Sequence, residues 1–464
     1  MTKAEQFYSE IKDKKVAFIG TGVSHNELIK LFLEKKISVT ICDKKNKEDF
    51  NQNLYNTFLS MGAKFSLGEN YLDAIYSSDI VFRTPGMYYN NPALIKAREM
   101  GIVVTSEMEV FFDLCPCKIY AVTGSDGKTT TTTLISEFFN AEGRTVYLGG
   151  NIGKALLPLV ENMKQTDVAV VELSSFQLLS MRKSPDVAVI TNIAPNHLDV
   201  HGTMEEYIGA KCNLILHQNA FSKTVLNNDN EPTMNLKGMV RGKLSTFSRK
   251  TQVNNGAFLN DKGILSYSNY GEVTEIIPMA EIKIPGIHNV ENFLTAISAV
   301  WGEVSINSIK RVAREFGGVE HRIEFVRELD GVRWYNDSIA TSPTRVLAGL
   351  ASFNQKLIVI AGGYDKKIPF EPLAKPVNDK VKTLILLGVT ADKIEKAVTS
   401  YEGYDDKKLK IVRVKTLEEA VCTARDLAEK GDIITLSPAC ASFDMYPNFE
   451  VRGQHFKSLV HELN

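Results

Sequence analysis

The sequence predicts an α/β protein of about three domains built on mostly parallel sheets. Its 464 residues are too many for a single core. Short apolar, β-prone runs at 15–20, 119–122 and 357–363 each end at a turn that opens a helix-like segment. Strand signals recur between helix-length segments along the whole chain, with no internal repeat and no low-complexity tract.

Composition narrows the function classes. A formal net charge of −1 argues against nucleic acid or an anionic membrane as the main partner, leaving only local basic pockets. The first twenty residues carry many charges and no apolar h-region, so no secretory signal is expected. No apolar run is long enough to span a bilayer. The six cysteines (Cys42, Cys115, Cys117, Cys212, Cys422, Cys440) are scattered. Cys115 and Cys117 lack a second pair at zinc-ligand spacing, and Cys-Pro-Cys reads as an interdomain turn with reduced thiols, as in a cytoplasmic enzyme.

The first block opens with a buried-type strand at 15–20, a helix start at Gly22, and a second strand from 37 to 42 that ends at Asp43. Gly20 and Gly22 at the turn, with an acid about 20 residues on, match half of a dinucleotide fingerprint. The third glycine is missing, because His25 holds its place. A further strand-to-turn signal runs from 79 to 86. This block reads as a nucleotide-type site, or as the same fold without a ligand.

The second block carries the most informative stretch, Ile119-Tyr-Ala-Val-Thr-Gly-Ser-Asp-Gly-Lys-Thr-Thr-Thr131. Gly124 and Gly127 leave the backbone open, Lys128 supplies charge, and Thr129 and Thr130 begin a helix whose first N–H groups have no partner of their own. Such a helix start attracts polyphosphate. A strict P-loop has a glycine where Val122 stands, so the loop is a shorter Thr-Gly-x-x-Gly-Lys-Thr form. Strands at 167–173 and 186–192 place Glu172, Ser174, Asn192 and His197 at carboxyl ends, where ligands gather in doubly wound sheets. Glu172 ends an apolar strand, and a carboxylate there is costly to bury without a cation such as Mg²⁺, unless it is a surface acid. The polar 227–285 stretch reads as a small strand-rich excursion, followed by an amphipathic helix to about Trp301 with Asn289 and Asn292 on one face, able to meet a base edge.

The third block follows Gly317-Gly318, a hinge signal. A hairpin pattern surrounds Asp330-Gly331, the 337–344 segment leads into a helix, and buried-type strands at 357–363, 383–388 and 432–437 predict another parallel sheet.

In order and spacing these pieces resemble the Mur ligases over nearly the whole chain. The matching residues are Thr123-Gly-Ser-Asp-Gly-Lys-Thr-Thr130, Gly149-Gly-Asn-Ile-Gly153, Glu172-Leu-Ser-Ser-Phe-Gln177, Asn196-His-Leu-Asp199, Ala210-Lys211, Gly286-Ile-His-Asn289, His321-Arg322, Asn336-Asp-Ser-Ile-Ala-Thr341, Gly362-Gly-Tyr-Asp-Lys366 and Ser437-Pro-Ala-Cys-Ala-Ser-Phe443. The last two are similar to the glutamate-adding branch. The resemblance implies a Rossmann-like domain at 1–107 for a UDP-linked substrate, a central P-loop-type ATPase domain at 108–318, and a Rossmann-like amino-acid domain at 319–464. It implies a cytoplasmic, ATP- and Mg²⁺-dependent ligase, a monomer, that adds D-glutamate to UDP-N-acetylmuramoyl-L-alanine in cell-wall synthesis.

Residue roles follow from the same resemblance. Gly124, Ser125, Asp126, Gly127, Lys128, Thr129 and Thr130 would hold ATP phosphates, Asn289 and Asn292 adenine, Arg322 the γ-phosphate and Asp337 the ribose. Thr129 and Glu172 would bind one Mg²⁺, and Glu172 with His197 a second, aided by Lys211 after carbamylation by CO₂. Lys128, His197, Lys211 and Arg322 would be the catalytic groups. Gly22, Val23, Ser24, Asp43 and Lys44, with Thr84 and Gly86 opposite, would hold the uridine diphosphate, and Asn151, Ser174 and His197 the rest of that substrate. Thr341, Lys366, Ser442 and Phe443 would hold the acceptor amino acid. One departure stands out: the family's Asp-Ser-Lys-Ala-Thr has Ile339 at the lysine, and isoleucine cannot donate to a phosphate. Two other functions compete: another amide ligase of the Mur/folylpolyglutamate superfamily, and a nucleotide-binding regulator without turnover.

Overall fold

The computed structural model describes residues 1–152, 154–195 and 198–463. The chain divides into two compact units, residues 1–279 with 291–312, and residues 280–290 with 313–464.

The first unit holds two parallel sheets. Strands β1 (Lys15–Ile19), β2 (Ser38–Asp43), β3 (Lys64–Leu67), β4 (Ile80–Phe82) and β5 (Val103–Thr105) lie in the order β3-β2-β1-β4-β5. Strand order reverses between β1 and β4, so the Gly20 turn and Thr84 open onto the crevice where doubly wound sheets bind ligands. Next come β6 (Lys118–Thr123), β7 (Val146–Gly150), β8 (Val168–Glu172), β9 (Val187–Ile190), β10 (Lys223–Asn227) and β11 (Lys243–Phe247), ordered β11-β10-β9-β6-β8-β7 and all parallel. Here β6 lies between β8 and β9, which puts the loop after Thr123 between the ends of both neighbours.

The polar 227–285 stretch divides in two. β11 extends the central sheet, whereas β12 (Asn255–Leu259), β13 (Ile264–Asn269) and β14 (Glu272–Pro278) form the small antiparallel sheet that the composition predicts. A continuous buried cluster runs from Phe18, Phe32 and Phe82 through Phe111 and Leu156 to Val171 and Ile190, so both parallel sheets share one core.

The second unit contains β15 (Glu324–Leu329), β16 (Val332–Asn336), β17 (Leu357–Gly362), β18 (Val381–Leu387), β19 (Lys410–Arg413) and β20 (Ile433–Leu436), ordered β15-β16-β20-β17-β18-β19. Asp330-Gly331 forms the hairpin turn, and β15 is antiparallel to an otherwise parallel sheet. The loops after β16, β20 and β17 therefore leave the same edge side by side. Each face carries its own core, one around Val359 and Leu384 and the other around Trp334 and Phe456. Among the described residues no helix is long and apolar enough to cross a membrane.

Local signals set the helix ends. Ser106 caps helix Glu107–Leu114 and Thr203 caps helix Met204–Leu216, each accepting a backbone N–H three residues on. The six cysteines are free thiols, and Cys115 and Cys117 face each other at 3.5 Å in the turn before β6.

Glu107 ties the start of its helix to a loop 50 residues away. Its Oε1 accepts from the N–H groups of Leu156 and Leu157 at 2.8 and 2.7 Å. Burial lifts its pKa to about 7, against the pull of those two donors. A carboxyl whose native pKa lies above its unfolded value of 4.5 binds the extra proton in the native state, so it costs stability as pH rises through that window. Glu107→Gln removes this titration. Between about pH 5 and about pH 8 the variant's melting temperature is expected to fall less, or rise more, than that of the unsubstituted protein. Parallel profiles for the two proteins would show that Glu107 does not hold a proton in the fold.

Candidate active site

The loop after β6 is shaped by close approach. A Cβ on Gly124 would lie 1.9 Å from Thr191 Oγ1, so only glycine lets the loop pass the end of β9. Thr191 Oγ1 donates to the Asp126 carbonyl at 2.6 Å, and Asn192 Oδ1 accepts from the N–H groups of Ser125 and Asp126 at 3.1 and 2.9 Å. Ser125 Oγ lies 3.0 Å from Tyr207 Oη and donates to the Ala194 carbonyl at 2.9 Å. Gly127, left-handed at φ 76°, begins helix Lys128–Ala141 without a side-chain cap. A helix start of this kind attracts anions through its first N–H groups and its dipole. Five consecutive threonines make poor helix formers, but Thr130, Thr131 and Thr132 are buried, and Thr132 and Thr133 back-bond to the carbonyls of Lys128 and Thr129 at 2.8 Å.

Around this loop stand the charged groups. Lys128 Nζ donates to the Ser125 carbonyl at 3.0 Å, folding back over the loop. Lys211, on helix Met204–Leu216, is only 1% exposed and donates to the Gly124 carbonyl at 2.9 Å. Burial, and then the neighbouring charge of Lys128, pull its pKa down to about 7. Glu172 is 2% exposed at the end of β8. Asn151 Nδ2 donates to its Oε1 at 2.7 Å, while buried Oε2 has no hydrogen-bond partner among the described residues. An orphaned carboxylate oxygen beside a phosphate-type loop, with half-buried Thr129 on that loop, fits a hard divalent cation. No cluster of three or more His, Cys, Asp or Glu occurs among the described residues. His197 and Asn196 lie outside those residues, as do Gly153 and the side chains of Leu198 and Asp199.

At the first sheet, Asp43 is buried at the end of β2. It accepts from the Lys45 N–H at 3.0 Å and from Thr21 Oγ1 at 3.5 Å, while Lys44 is exposed. Gly22 begins helix Val23–Glu34 without a side-chain cap, and Thr84 reaches Gly20 from the end of β4. Gly86 is exposed in the following turn. The side chains of Val23 and Ser24 are outside the described residues. His25, where the fingerprint's third glycine is missing, is buried with Nδ1 3.0 Å from the Gly20 carbonyl, and so braces the turn. Ser174 spends its hydroxyl capping helix Ser175–Leu178 in a reciprocal pair with Gln177.

Asn292 Oδ1 lies 3.4 Å from Thr131 Oγ1 and fills the space a Cβ on Gly127 would need. Asn289 Nδ2 donates to the Pro285 carbonyl at 2.6 Å, and both amides are 7% exposed.

In the second unit Arg322 sits between two left-handed residues, His321 at φ 63° and Ile323 at φ 46°. The Ile323 N–H donates to Asp337 Oδ1 at 3.3 Å, and Ser437 Oγ donates to Oδ2, also at 3.3 Å. These bonds turn the carboxyl inward as a brace for the Arg322 loop, and burial there pushes its pKa up to about 7. Lys366, exposed after β17, donates to Thr341 O and Oγ1, both at 3.2 Å. Its loop pairs with the loop after β20, where Tyr364 N–H meets the Ala441 carbonyl at 2.9 Å. There Ser442 is buried and Phe443 is 64% exposed, its ring edge-on to Tyr364.

No pattern in the sequence singles out Thr191, Tyr207 or Arg452. Arg452, 2% exposed, donates to Ser338 Oγ at 3.0 Å and to the carbonyls of Ser338, Cys440 and Ala441 at 2.9–3.2 Å. It clamps two predicted motifs together, and the only signal for it in the sequence is a charge on the inner face of a helix.

Known proteins resemble the chain throughout. Residues 122–300 match the family described as Mur ligase middle domain, and residues 321–440 that described as Mur ligase, glutamate ligase domain. The UDP-N-acetylmuramoylalanine–D-glutamate ligase of Acetivibrio thermocellus is 51% identical over 464 residues, covering 100% of this chain and 99% of its own. The protein of that name from Clostridium acetobutylicum is 49% identical over 460 residues, covering 99% and 98%. Among solved structures, MurF from Acinetobacter baumannii aligns with a TM-score of 0.60 at 15% identity, covering 98% of this chain and 99% of its own. The UDP-N-acetylmuramate-alanine ligase of Thermotoga maritima aligns at 0.59 and 18% identity, covering 97% and 99%. At such identity these two speak for the fold, while near-50% identity along the entire length settles the lineage: the chain belongs to the Mur ligase family.

Proposed function

We propose that this chain is the cytoplasmic ATP-dependent ligase that joins D-glutamate to UDP-N-acetylmuramoyl-L-alanine, releasing ADP and phosphate. The observation that carries the reading is the grouping of Lys128, Lys211 and Glu172 around one glycine loop. The acceptor and sugar-nucleotide identities rest on the names borne by the full-length relatives.

In this reading the substrate carboxylate takes the γ-phosphoryl group of ATP, giving an acyl phosphate and ADP. The glutamate amine attacks the acyl carbon, and the tetrahedral intermediate expels phosphate as the amide forms and the nitrogen loses a proton. Position and charge neutralisation do most of the work. Lys128 and the first N–H groups of its helix would hold the β- and γ-phosphates, with Arg322 supplying a further charge. Thr129 and Glu172 would hold Mg²⁺, which when bound would neutralise phosphate charge. Asn151 would keep Glu172 turned toward that ion. Lys211 has a low pKa, so much of it is the neutral amine at pH 7; addition of CO₂ to that nitrogen with loss of a proton would give the carbamate anion. The Gly20–Gly22 turn, Asp43 and Thr84 would take the uridine diphosphate end.

The test is ADP release with UDP-N-acetylmuramoyl-L-alanine and a panel of D- and L-glutamate, alanine, lysine and diaminopimelate. D-glutamate is expected to lead the amino acids that lack a side-chain carboxylate by about 10⁴ or more, as for sites whose buried polar groups would be left unpaired, and preference for L-glutamate would overturn only the stereochemistry. Preference for alanine or a diamino acid would make the chain another amide ligase of the superfamily. No turnover with any of them would favour a nucleotide-binding regulator.

Lys128→Ala is expected to fold normally and lose on the order of 100- to 1000-fold in kcat, the range for removing a group that stabilises charge in a transition state. Near-normal turnover would remove the phosphate-loop assignment.

Lys211→Ala should be nearly inactive and regain part of its activity in short carboxylic acids, which supply an anion where the carbamate would stand. Full activity without them, or loss that no acid restores, would count against carbamylation.

A further inference from the structure

Ile339 bears no charge, yet a charge holds its main chain. Arg345 Nη1 donates to the Ile339 carbonyl at 3.2 Å. Arg345 stands exposed in the first turn of helix Pro343–Ala351, its own N–H bonded to the Ser342 carbonyl at 3.2 Å. Its charge also bears on Lys366, pulling that amine's pKa down after burial has done so. Lys366 in turn is fastened to Thr341 by two hydrogen bonds.

Two cations therefore share one exposed patch. Of the nearby acids, Asp365 pairs with Lys393 at 2.6 Å, and Asp337, although it feels the charge of Arg345, is buried and hydrogen-bonded to Ile323 and Ser437. Neither Arg345 nor Lys366 makes an ion pair among the described residues. Neighbouring like charges repel unless an anion comes between them. Arg345 spends one donor on Ile339, and a guanidinium has further N–H groups in a fork that matches a carboxylate.

We propose that Arg345 is a carboxylate-binding residue for the incoming amino acid, acting as a pair with Lys366. This rests on the amino-acid-ligase reading above. The neighbours of Arg345 decide in favour of the acceptor over the transferred phosphate. It adjoins Ile339, Thr341 and Lys366, on the loops after β16 and β17 that carry the acceptor residues. A dianionic acceptor is thereby favoured over a neutral one, because the free pair repels and the bound pair is neutralised.

The experiment is initial-rate ADP release by the unsubstituted enzyme, Arg345→Ala and Arg345→Lys. The acceptor and ATP are varied separately, with the other substrates saturating. In Arg345→Ala the KM for D-glutamate is expected to rise at least about 10-fold, the low end for a charge-assisted hydrogen bond at an exposed site. The KM for ATP should stay within about 2-fold, and Arg345→Lys should recover part of the loss. An unchanged acceptor KM, or a loss confined to kcat and the KM for ATP, overturns the proposal; the second result would assign Arg345 to the phosphate. If the unsubstituted enzyme prefers another amino acid, the glutamate reading fails, and the same KM shift is read on that acceptor. Arg345 is exposed, so an unchanged melting temperature separates binding loss from misfolding.

Discussion

The centre of the first unit is organised by the lack of space beside residue 124. Because no side chain fits between the loop and Thr191, the backbone runs against the ends of β8 and β9, and Asn192 reaches two of its N–H groups. Several groups of the site are placed around that approach. Lys211 reaches the Gly124 carbonyl, Ser125 meets Tyr207, and left-handed Gly127 starts its helix without a side-chain cap. A methyl group at position 124 would have to displace Thr191 and Asn192, the residues that directly follow β9, so the loop and the end of that strand share one geometric tolerance.

Buried ionisable groups are the second organising theme, and they differ in how they are matched. Arg452 has hydrogen bonds for most of its donors and works as a fastener. Glu107 meets two backbone donors and yet is held near neutrality by desolvation, so its value is structural. Glu172 and Lys211 are less well satisfied, one with an orphaned oxygen and the other crowded by a like charge. Unsatisfied buried charge is expensive, and such groups gather where a ligand is meant to complete them.

Much of this was legible beforehand. The strand, glycine loop and helix at 119–141, the hairpin at Asp330-Gly331 and the parallel strands near 357–363, 383–388 and 432–437 all follow from residue type and order. The rest depends on distances that order does not encode. β11 looks like part of a polar excursion because its partner, β10, lies on the far side of a short helix and turn. His25 stands where a glycine is expected, and only its reach to the Gly20 carbonyl explains how the turn survives the exchange. Thr191 and Arg452 act through contacts 65 and more than 100 residues away.

Helix Phe449–Glu462 has a consequence for the order in which the chain is assembled. Ser338 Oγ donates to the Phe449 carbonyl at 2.8 Å, and Arg452 ties the Ser338 turn to Cys440 and Ala441. The loops after β16 and β20 thus depend on a helix that is synthesised after both of them. The first unit's sheets can settle during synthesis, since domains fold as they emerge. Those two loops must wait until residue 452 has been added. A nascent chain that stops short of it would carry the glycine loop after β6 in place and the loops of the second unit unfastened.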